Sequence, residues 1–290
     1  MRPRSPVRLP RVGPDRTTRA HGDAIRRLVH LGGRPCVLEA SQPQPGRVRL
    51  AAHAADEATA RAGLERARFW TAVDDDLTPF LERFAHDALI GASLRAAPHA
   101  RPFRRPMPFD VLAAAVCEQL VTDERARELK RALVAAHGRQ HAPTGLRDWP
   151  GPAELARCAP AELERCGLAP RRAVTLVRVA REVAARRVDL LAPAERHVEG
   201  WRRLRAIPGI GPWTVSMLVL HGQGHHDAVP AGDHAYRSLV GEALGGRPGA
   251  HAEEADVVAF LEPYRPWRGY AGWHLLRLGP PAVRGLLAAS

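Results

Sequence analysis

One segment of the chain, residues 204–214, has residue types suited to binding a phosphate group. It reads Leu-Arg-Ala-Ile-Pro-Gly-Ile-Gly-Pro-Trp-Thr, with Gly209 and Gly211 in a predicted turn and Pro212 opening the next helix. Glycine accepts positive φ and lets another backbone approach closely. Such a turn presents N–H groups at a helix N-terminus, where an anion is stabilised. The order apolar-Pro-Gly-apolar-Gly favours a phosphate-binding hairpin of two helices over an ordinary glycine-rich turn.

A carboxylate follows this hairpin where it could take part in catalysis. Asp233 comes after the loop at 222–232 and precedes a helical stretch. Aspartate is a common N-cap, which is the purely structural interpretation. The functional interpretation is a carboxylate held close to a molecule anchored by the hairpin. The two are compatible, because the positive end of a helix dipole favours a charged carboxylate.

Length and composition describe a globular protein with the size of about two domains. The chain has 290 residues, of which 45% are hydrophobic and 26% charged. No stretch approaches the roughly 18 apolar residues that would span a bilayer, and no apolar segment follows the basic start, so neither a membrane span nor a secretory signal is expected. The four cysteines form no C-x-x-C pair. We expect reduced thiols and a cytoplasmic, nucleoid-associated protein.

The chain is strongly basic, which favours a polyanionic partner. Lysine and arginine number 43 against 31 acidic residues, and the formal net charge is +12. A compositional origin competes with this interpretation, because Lys130 is the only lysine and asparagine is absent, a usage typical of GC-rich codons. That origin explains the choice of arginine but not the excess of basic over acidic residues.

The chain divides into three predicted parts. Residues 1–22 are rich in arginine and proline and predict a disordered or loosely held arm. Residues 23–100 predict an α+β domain with a small antiparallel sheet, and residues 101–290 an all-α domain, so that the fold is mainly α. The Pro/Arg-rich segment at 98–108 marks the predicted boundary between them. Within the latter, one long helix is predicted from Asp110 to about Ala136. Two short helices show a near-repeat, Pro-Ala-Glu-Leu-x-Arg-Cys, at 152–158 and 160–166.

In these motifs the sequence resembles the helix-hairpin-helix DNA glycosylase superfamily, most closely its 3-methyladenine DNA glycosylase II (AlkA-like) branch. The resemblance covers about residues 23–285 and rests on the hairpin, the Pro/Gly-rich loop and the aspartate that follows. Two further matches are Pro-Phe-Asp at 108–110 leading to Glu-Gln-Leu-Val-Thr at 118–122, and Pro-Tyr-Arg-Pro-Trp-Arg-Gly-Tyr-Ala at 263–271.

The resemblance implies an enzyme of base excision repair that flips a damaged nucleotide out of duplex DNA and hydrolyses its N-glycosidic bond. Alkylated purines of the 3-methyladenine type are the implied substrates. Asp233 would stabilise the oxocarbenium-like sugar, in parallel with glycoside hydrolysis. Gly209, Gly211 and Thr214 would contact DNA. Leu120 would enter the minor groove as an apolar wedge, its alternative being a place in a helix core.

The base pocket implied by the resemblance includes Trp213, Met217 and Leu276. Trp213 can stack on an electron-deficient base, whereas the other two positions often carry aromatic residues in this branch and do not here. Bifunctional relatives place a Schiff-base lysine in the helix after the hairpin, and that helix has none. A monofunctional enzyme without β-lyase activity is therefore expected. We also expect the protein to be a monomer. Another damaged base, or a DNA-damage-binding protein without turnover, is the alternative.

No cofactor is expected. The resemblance allows a monovalent cation on the carbonyls of Ile207 and Ile210, with a structural role. A group of histidines lies around the loop before Asp233, with Asp227 among them, and their spacing matches no standard zinc pattern. They are His221, His225, His226 and His234.

Overall fold

The N-terminal part of the chain forms a four-stranded antiparallel sheet covered by one helix. The computed structural model describes residues 1–10, 12–13 and 15–288. The strands pair in chain order: β1 (Thr18–His21), β2 (Ala24–Leu31), β3 (Arg34–Gln44) and β4 (Arg47–Ala54). Helix α1 (Glu57–Thr71) buries Ala67 and Trp70 against Val29 and Leu38 of the sheet. The predicted small antiparallel sheet is confirmed.

The rest of the chain is almost entirely helical, and the predicted mainly-α class is confirmed. A short hairpin of β5 (Gln140–His141) and β6 (Leu146–Arg147) interrupts the helices. The helices are α2 (Thr78–Phe84), α3 (Gly91–Ala96), α4 (Pro108–Glu118), α5 (Asp123–His137), α6 (Pro152–Arg157), α7 (Pro160–Arg165), α8 (Pro170–Ala184), α9 (His197–Arg205), α10 (Pro212–Met217), α11 (His234–Gly245), α12 (Glu254–Leu261), α13 (Arg268–Leu278) and α14 (Pro280–Ala288). Helix α10 continues as a π-helical turn, Leu218–Gly222.

Two apolar cores hold the helices together. The first joins α4, α5 and α8 to the helical hairpin formed by α9 and α10. It includes Leu112, Leu129 and Leu176. The second joins α11 and α13 to α2 and α3, with Phe80 and Ile90 fully buried in it. Helices α2 and α3 precede the predicted boundary near residue 100, yet they pack into the C-terminal core.

The predicted long helix from Asp110 to about Ala136 is wrong, because the chain breaks between α4 and α5. Leu120 in the break has φ +51°, a left-handed conformation that ends a helix. Thr122 then caps α5, and its side chain accepts a hydrogen bond from the Arg125 N–H at 3.3 Å. Leu120 is fully exposed. Its alternative assignment to a helix core is therefore wrong.

The first 22 residues are held at several points. Two of them, Arg11 and Pro14, lie outside the described residues. Thr18–His21 form the edge strand β1, and the Asp15 carboxylate is 3% exposed. It accepts hydrogen bonds from Arg105 at 2.7 Å and from the Trp149 indole at 3.0 Å. This part of the predicted arm is fixed because a buried carboxylate needs such partners.

Candidate active site and DNA-contact surface

The turn between α9 and α10 is a tight hairpin anchored in the first core. Ile207 and Ile210 are both buried, and the Ile210 N–H donates to the Ile207 carbonyl at 3.0 Å. Gly209 has φ +92°, and a Cβ built there would lie 2.5 Å from Thr175 Oγ1. That hydroxyl donates to the Pro208 carbonyl at 2.9 Å. Only glycine fits position 209, because conformation and close approach exclude a side chain.

The break after α4 lies directly against this hairpin. Gln119 Nε2 donates to the Gly209 carbonyl at 2.8 Å and to Thr214 Oγ1 at 3.0 Å. Arg172 donates to the Gln119 carbonyl at 3.0 Å from the other side. Thr214 is 1% exposed, so its side chain supports the turn from within. The structure therefore brings Leu120, Gly209 and Thr214 to one edge of the helical part.

Asp233 lies at the N-terminus of α11, as the sequence predicts. Its Oδ1 accepts the Ala235 N–H at 2.9 Å, the usual hydrogen bond of an N-cap. Its Oδ2 accepts the Trp213 indole N–H at 3.1 Å, across 20 residues of chain. The side chain is half-buried. The two donors fix the orientation of the carboxylate and leave one side of it open.

A pocket with a volume of about 580 Å³ opens beside Trp213 and Gly232, and Asp233 itself is not one of its lining residues. The pocket is bounded by the start of α10, the loop before Asp233 and one face of α12. Its lining consists of Pro212, Trp213, Ser216, Val229, Ala231, Gly232, Glu254, Ala255, Val258, Ala259 and Glu262. Of the three residues predicted for a base pocket, Trp213 forms part of this wall. Met217 and Leu276 lie elsewhere, half-buried, and Leu276 packs against the second core.

Comparison with known proteins finds relatives that are named as DNA repair enzymes or DNA glycosylases. A probable bifunctional transcriptional activator/DNA repair enzyme AlkA of Mycobacterium tuberculosis is 29% identical over 240 residues, which are 80% of this chain and 46% of the relative. The chain thus spans about half the length of that relative. A DNA-3-methyladenine glycosylase of Bacillus subtilis is 26% identical over 72% of this chain and 69% of its own. No family model matches the chain.

The solved structure of a 3-methyladenine DNA glycosylase from Archaeoglobus fulgidus superposes with a TM-score of 0.78. It is 18% identical and covers 96% of this chain and 97% of its own. The fold is that of a helix-hairpin-helix DNA glycosylase. The resemblance to the 3-methyladenine DNA glycosylase II branch is confirmed.

This glycosylase fold carries an aromatic cluster that the sequence did not reveal. Phe103 stacks on the buried His221 ring with centroids 4.0 Å apart and planes 10° apart, yet it is 46% exposed. Trp273 of α13 meets Phe103 edge-on at 6.3 Å. Residues 217 and 221 lie one helical turn apart, as do 273 and 276. The cluster is thus close in sequence to the two positions that lack aromatic residues. Phe103 belongs to the Pro/Arg-rich segment at 98–108, which the sequence indicates only as a domain boundary.

The histidines near Asp233 have separate partners. Burial lowers the pKa of His221 to about 4 although its Nδ1 hydrogen-bonds to the Phe103 carbonyl at 2.8 Å. His225 pairs with His197 at 2.8 Å, and His226 meets the ring of Tyr270. His234 packs on His251, while Asp227 binds Arg265 and Arg268. These contacts hold the rings apart from one another rather than around a common centre.

The hairpin carbonyls suggested for a monovalent cation are those of Ile207 and Ile210. The Ile207 carbonyl already accepts the Ile210 N–H. A carbonyl oxygen has a second lone pair, so this bond is compatible with a bound cation. The cation stays a prediction.

Proposed function

We propose that this chain is a monofunctional DNA glycosylase that hydrolyses the N-glycosidic bond of alkylated purines, of the 3-methyladenine type, in duplex DNA. One observation carries the proposal. The carboxylate of Asp233, which follows the loop after the hairpin, is held by the indole of Trp213, and Trp213 and Gly232 line a pocket of about 580 Å³. The names of the relatives support the same activity, which belongs to base excision repair.

Asp233 has the chemistry that cleavage of this bond requires. As the base leaves, positive charge develops on the sugar, and a fixed carboxylate stabilises that charge better than mobile water does. The open side of the carboxylate can also orient the attacking water. An alkylated purine is cationic and leaves readily, so the reaction needs no separate general acid.

We assign recognition of the flipped base to aromatic side chains of the helical part. The half-buried Trp213 ring lines the pocket, and a cationic base gains from stacking on such a ring. Phe103 and Trp273, whose rings meet edge-on at 6.3 Å, offer further aromatic surface. We propose that breadth of substrate depends on these rings.

The DNA contact is assigned to the edge formed by the hairpin and Leu120. The N–H groups at the start of α10 suit a phosphate, while the exposed Leu120 suits insertion between base pairs of a kinked duplex. Gly209 and Gly211 permit the close approach of the DNA backbone. The enzyme would act as a monomer on duplex DNA.

The affinity for DNA should fall steeply as the salt concentration rises, because phosphate contacts release counterions. An affinity that does not change with salt would mean that the basic charge reflects composition alone.

The position of the only lysine supports hydrolysis without strand cleavage. Lys130 in α5 is bound to Glu118 at 2.5 Å with its side chain only 10% exposed. An imine with the sugar needs a free amine at the reacting carbon. Borohydride reduction during turnover should therefore trap no covalent DNA adduct, and the abasic product should remain uncut until alkali is added. A trapped adduct would contradict this assignment.

The decisive experiment measures bases released from alkylated duplex DNA by the parent chain and by Asp233→Asn. Asparagine retains the N-cap but not the charge, so release should fall at least about a hundredfold while DNA binding persists. Asp189→Asn is the matched control, because Asp189 is exposed and its Oδ1 likewise accepts the N–H two residues on, at 3.0 Å. Binding without any release by the parent would favour a damage-recognition protein. Release of only deaminated or oxidised bases would favour the other substrate class.

A further inference from the structure

Three metal-binding residue types meet on the helical part in a cluster that the glycosylase assignment does not use. His137, Cys158 and Glu162 each offer one ligand atom, and these atoms lie within 4.8 Å of one another. Cys158 Sγ is 3.6 Å from His137 Nδ1. Cys158 is buried, whereas the other two residues are half-buried. The thiol therefore forms the floor of the cluster, and the imidazole and the carboxylate form its rim.

Three helix ends create this meeting point. His137 is the last residue of α5, Cys158 is the C-cap of α6, and Glu162 lies in the first turn of α7. Helices α6 and α7 are the near-repeat seen in the sequence, which places Cys166 at the C-cap of α7. Residues 162 and 166 are four apart, so they face the same side of α7.

We propose that His137, Cys158 and Glu162 form a binding site for a zinc-like divalent transition-metal ion. Thiolate, imidazole and carboxylate are ligand types that zinc accepts in proteins, and a fourth, tetrahedral position would be taken by water. The ion would clamp the end of α5 to α6 and α7. This inference does not rest on the proposed function.

The hydrogen bonds present in the cluster are compatible with a bound ion. Glu162 uses Oε1 to accept the Ala159 N–H at 2.9 Å, which leaves Oε2 for the metal. The Cys158 thiol donates weakly to the Glu154 carbonyl at 3.4 Å. Cysteine binds metals as the thiolate, so the metal must displace the proton from sulfur. Metal affinity should therefore rise with pH.

Cobalt(II) is the probe for this site because a cobalt–thiolate bond gives a charge-transfer absorption in the near ultraviolet. The full chain is stripped with a chelator, kept reduced with a phosphine, and titrated with Co²⁺ and then Zn²⁺. We expect one equivalent of Co²⁺ to produce the band and Zn²⁺ to remove it. Cys158→Ser should abolish the band. Absence of the band from the parent chain, or its persistence in Cys158→Ser, overturns the proposal.

Two milder variants test the remaining ligands and serve if Cys158→Ser does not fold. His137→Gln and Glu162→Gln should each weaken Zn²⁺ binding by more than the roughly tenfold loss that follows removal of an outer-shell partner. Glutamine at 162 can still accept the Ala159 N–H. Matched controls are His141→Gln, on the neighbouring β-hairpin, and Glu164→Gln, which is exposed on the same helix. If either ligand variant binds Zn²⁺ as its control does, the proposed site is wrong.

Discussion

At the scale of single residues, the contact between Trp213 and Asp233 makes the indole a positioning residue for the carboxylate. Trp213→Phe keeps an aromatic wall but removes the N–H donor to Oδ2. A hydrogen bond to a charged group contributes about 1.5–3 kcal/mol, so kcat for base release should fall about tenfold or more. We expect KM and DNA affinity to change little, because the ring remains in the pocket.

Trp201→Phe is the matched control for this prediction. The Trp201 indole N–H donates to Gln223 Oε1 at 2.8 Å, and the ring packs against His197 and His225. Loss of the Trp201 indole N–H should leave the rate of single-turnover base release unchanged. Equal effects of the two substitutions on kcat would assign the Trp213 effect to general destabilisation.

Leu120 is a second residue at which a substitution should change activity without changing stability. It is fully exposed at a positive φ, so truncation removes no buried apolar surface. Leu120→Ala should change the free energy of unfolding by less than about 0.5 kcal/mol, yet lower base release from duplex DNA. Leu244→Ala, another exposed leucine, is the control. Duplex activity unchanged by Leu120→Ala would exclude a wedge.

Residue types and spacing predicted the position of Asp233 but not its partner. An aspartate before a helical stretch is a local signal, and the N-cap follows from it. The bond from Trp213 depends on how the loop at 222–232 folds back, which no local signal specifies. For the same reason, Phe103 could not be assigned to His221, 118 residues away.

At the scale of elements, the hairpin allows a comparison of two neighbouring glycines. A Cβ at Gly209 would meet Thr175 Oγ1 at 2.5 Å in a left-handed conformation, whereas one at Gly211 would meet no atom of the described residues within 4 Å. Gly209→Ala should therefore lower the free energy of unfolding by at least about 1 kcal/mol. Gly211→Ala should be close to neutral. Urea unfolding of both variants measures the difference, and similar values would contradict the geometry.

The break between α4 and α5 is the element that sequence periodicity missed. The helical spacing of apolar residues in α4 continues to Leu120, so the sequence predicts a single helix. The break depends instead on tertiary hydrogen bonds: Gln119 binds the hairpin, and Arg172 binds the Gln119 carbonyl. Together these bonds compensate the cost of a left-handed leucine, about 1–2 kcal/mol. Periodicity reports the local preference and cannot report such partners.

At the scale of the whole molecule, packing crosses the boundary that composition suggested. The Pro/Arg-rich segment at 98–108 predicted separate parts on either side, but α2 and α3 lie in the C-terminal core. Two contacts connect the sheet to the C-terminal part of the chain: the salt bridge from Arg27 to Asp110 of α4 at 2.7 Å, and the hydrogen bond between His30 Nδ1 and Asp148 Oδ2, in the loop after β6, at 2.7 Å. Charged side chains in a sequence give no sign of such pairing, because most are solvated.

The third connection, from Asp15 to Arg105 and Trp149, provides a test of how firmly the N-terminal segment is held. Burial disfavours the charged form, but Arg105 and Arg27 outweigh it and lower the pKa of Asp15. Asp15→Asn leaves Arg105 buried beside a neutral group. The free energy of unfolding should then fall by about 3–5 kcal/mol at pH 7, as measured by urea titration.

The pH dependence of this loss has a definite sign. A carboxylate whose pKa is lowered by folding stabilises the native state above its unfolded pKa, about 3.9, and loses that contribution as the pH falls through the lower, folded value. The gap in stability between the parent and Asp15→Asn should therefore be constant from pH 7 to about 5 and narrow below about 4. Asp23→Asn, at an exposed position, should show neither the loss nor the narrowing. If Asp15→Asn matches that control at pH 7, the ion pair does not hold the segment to the helices.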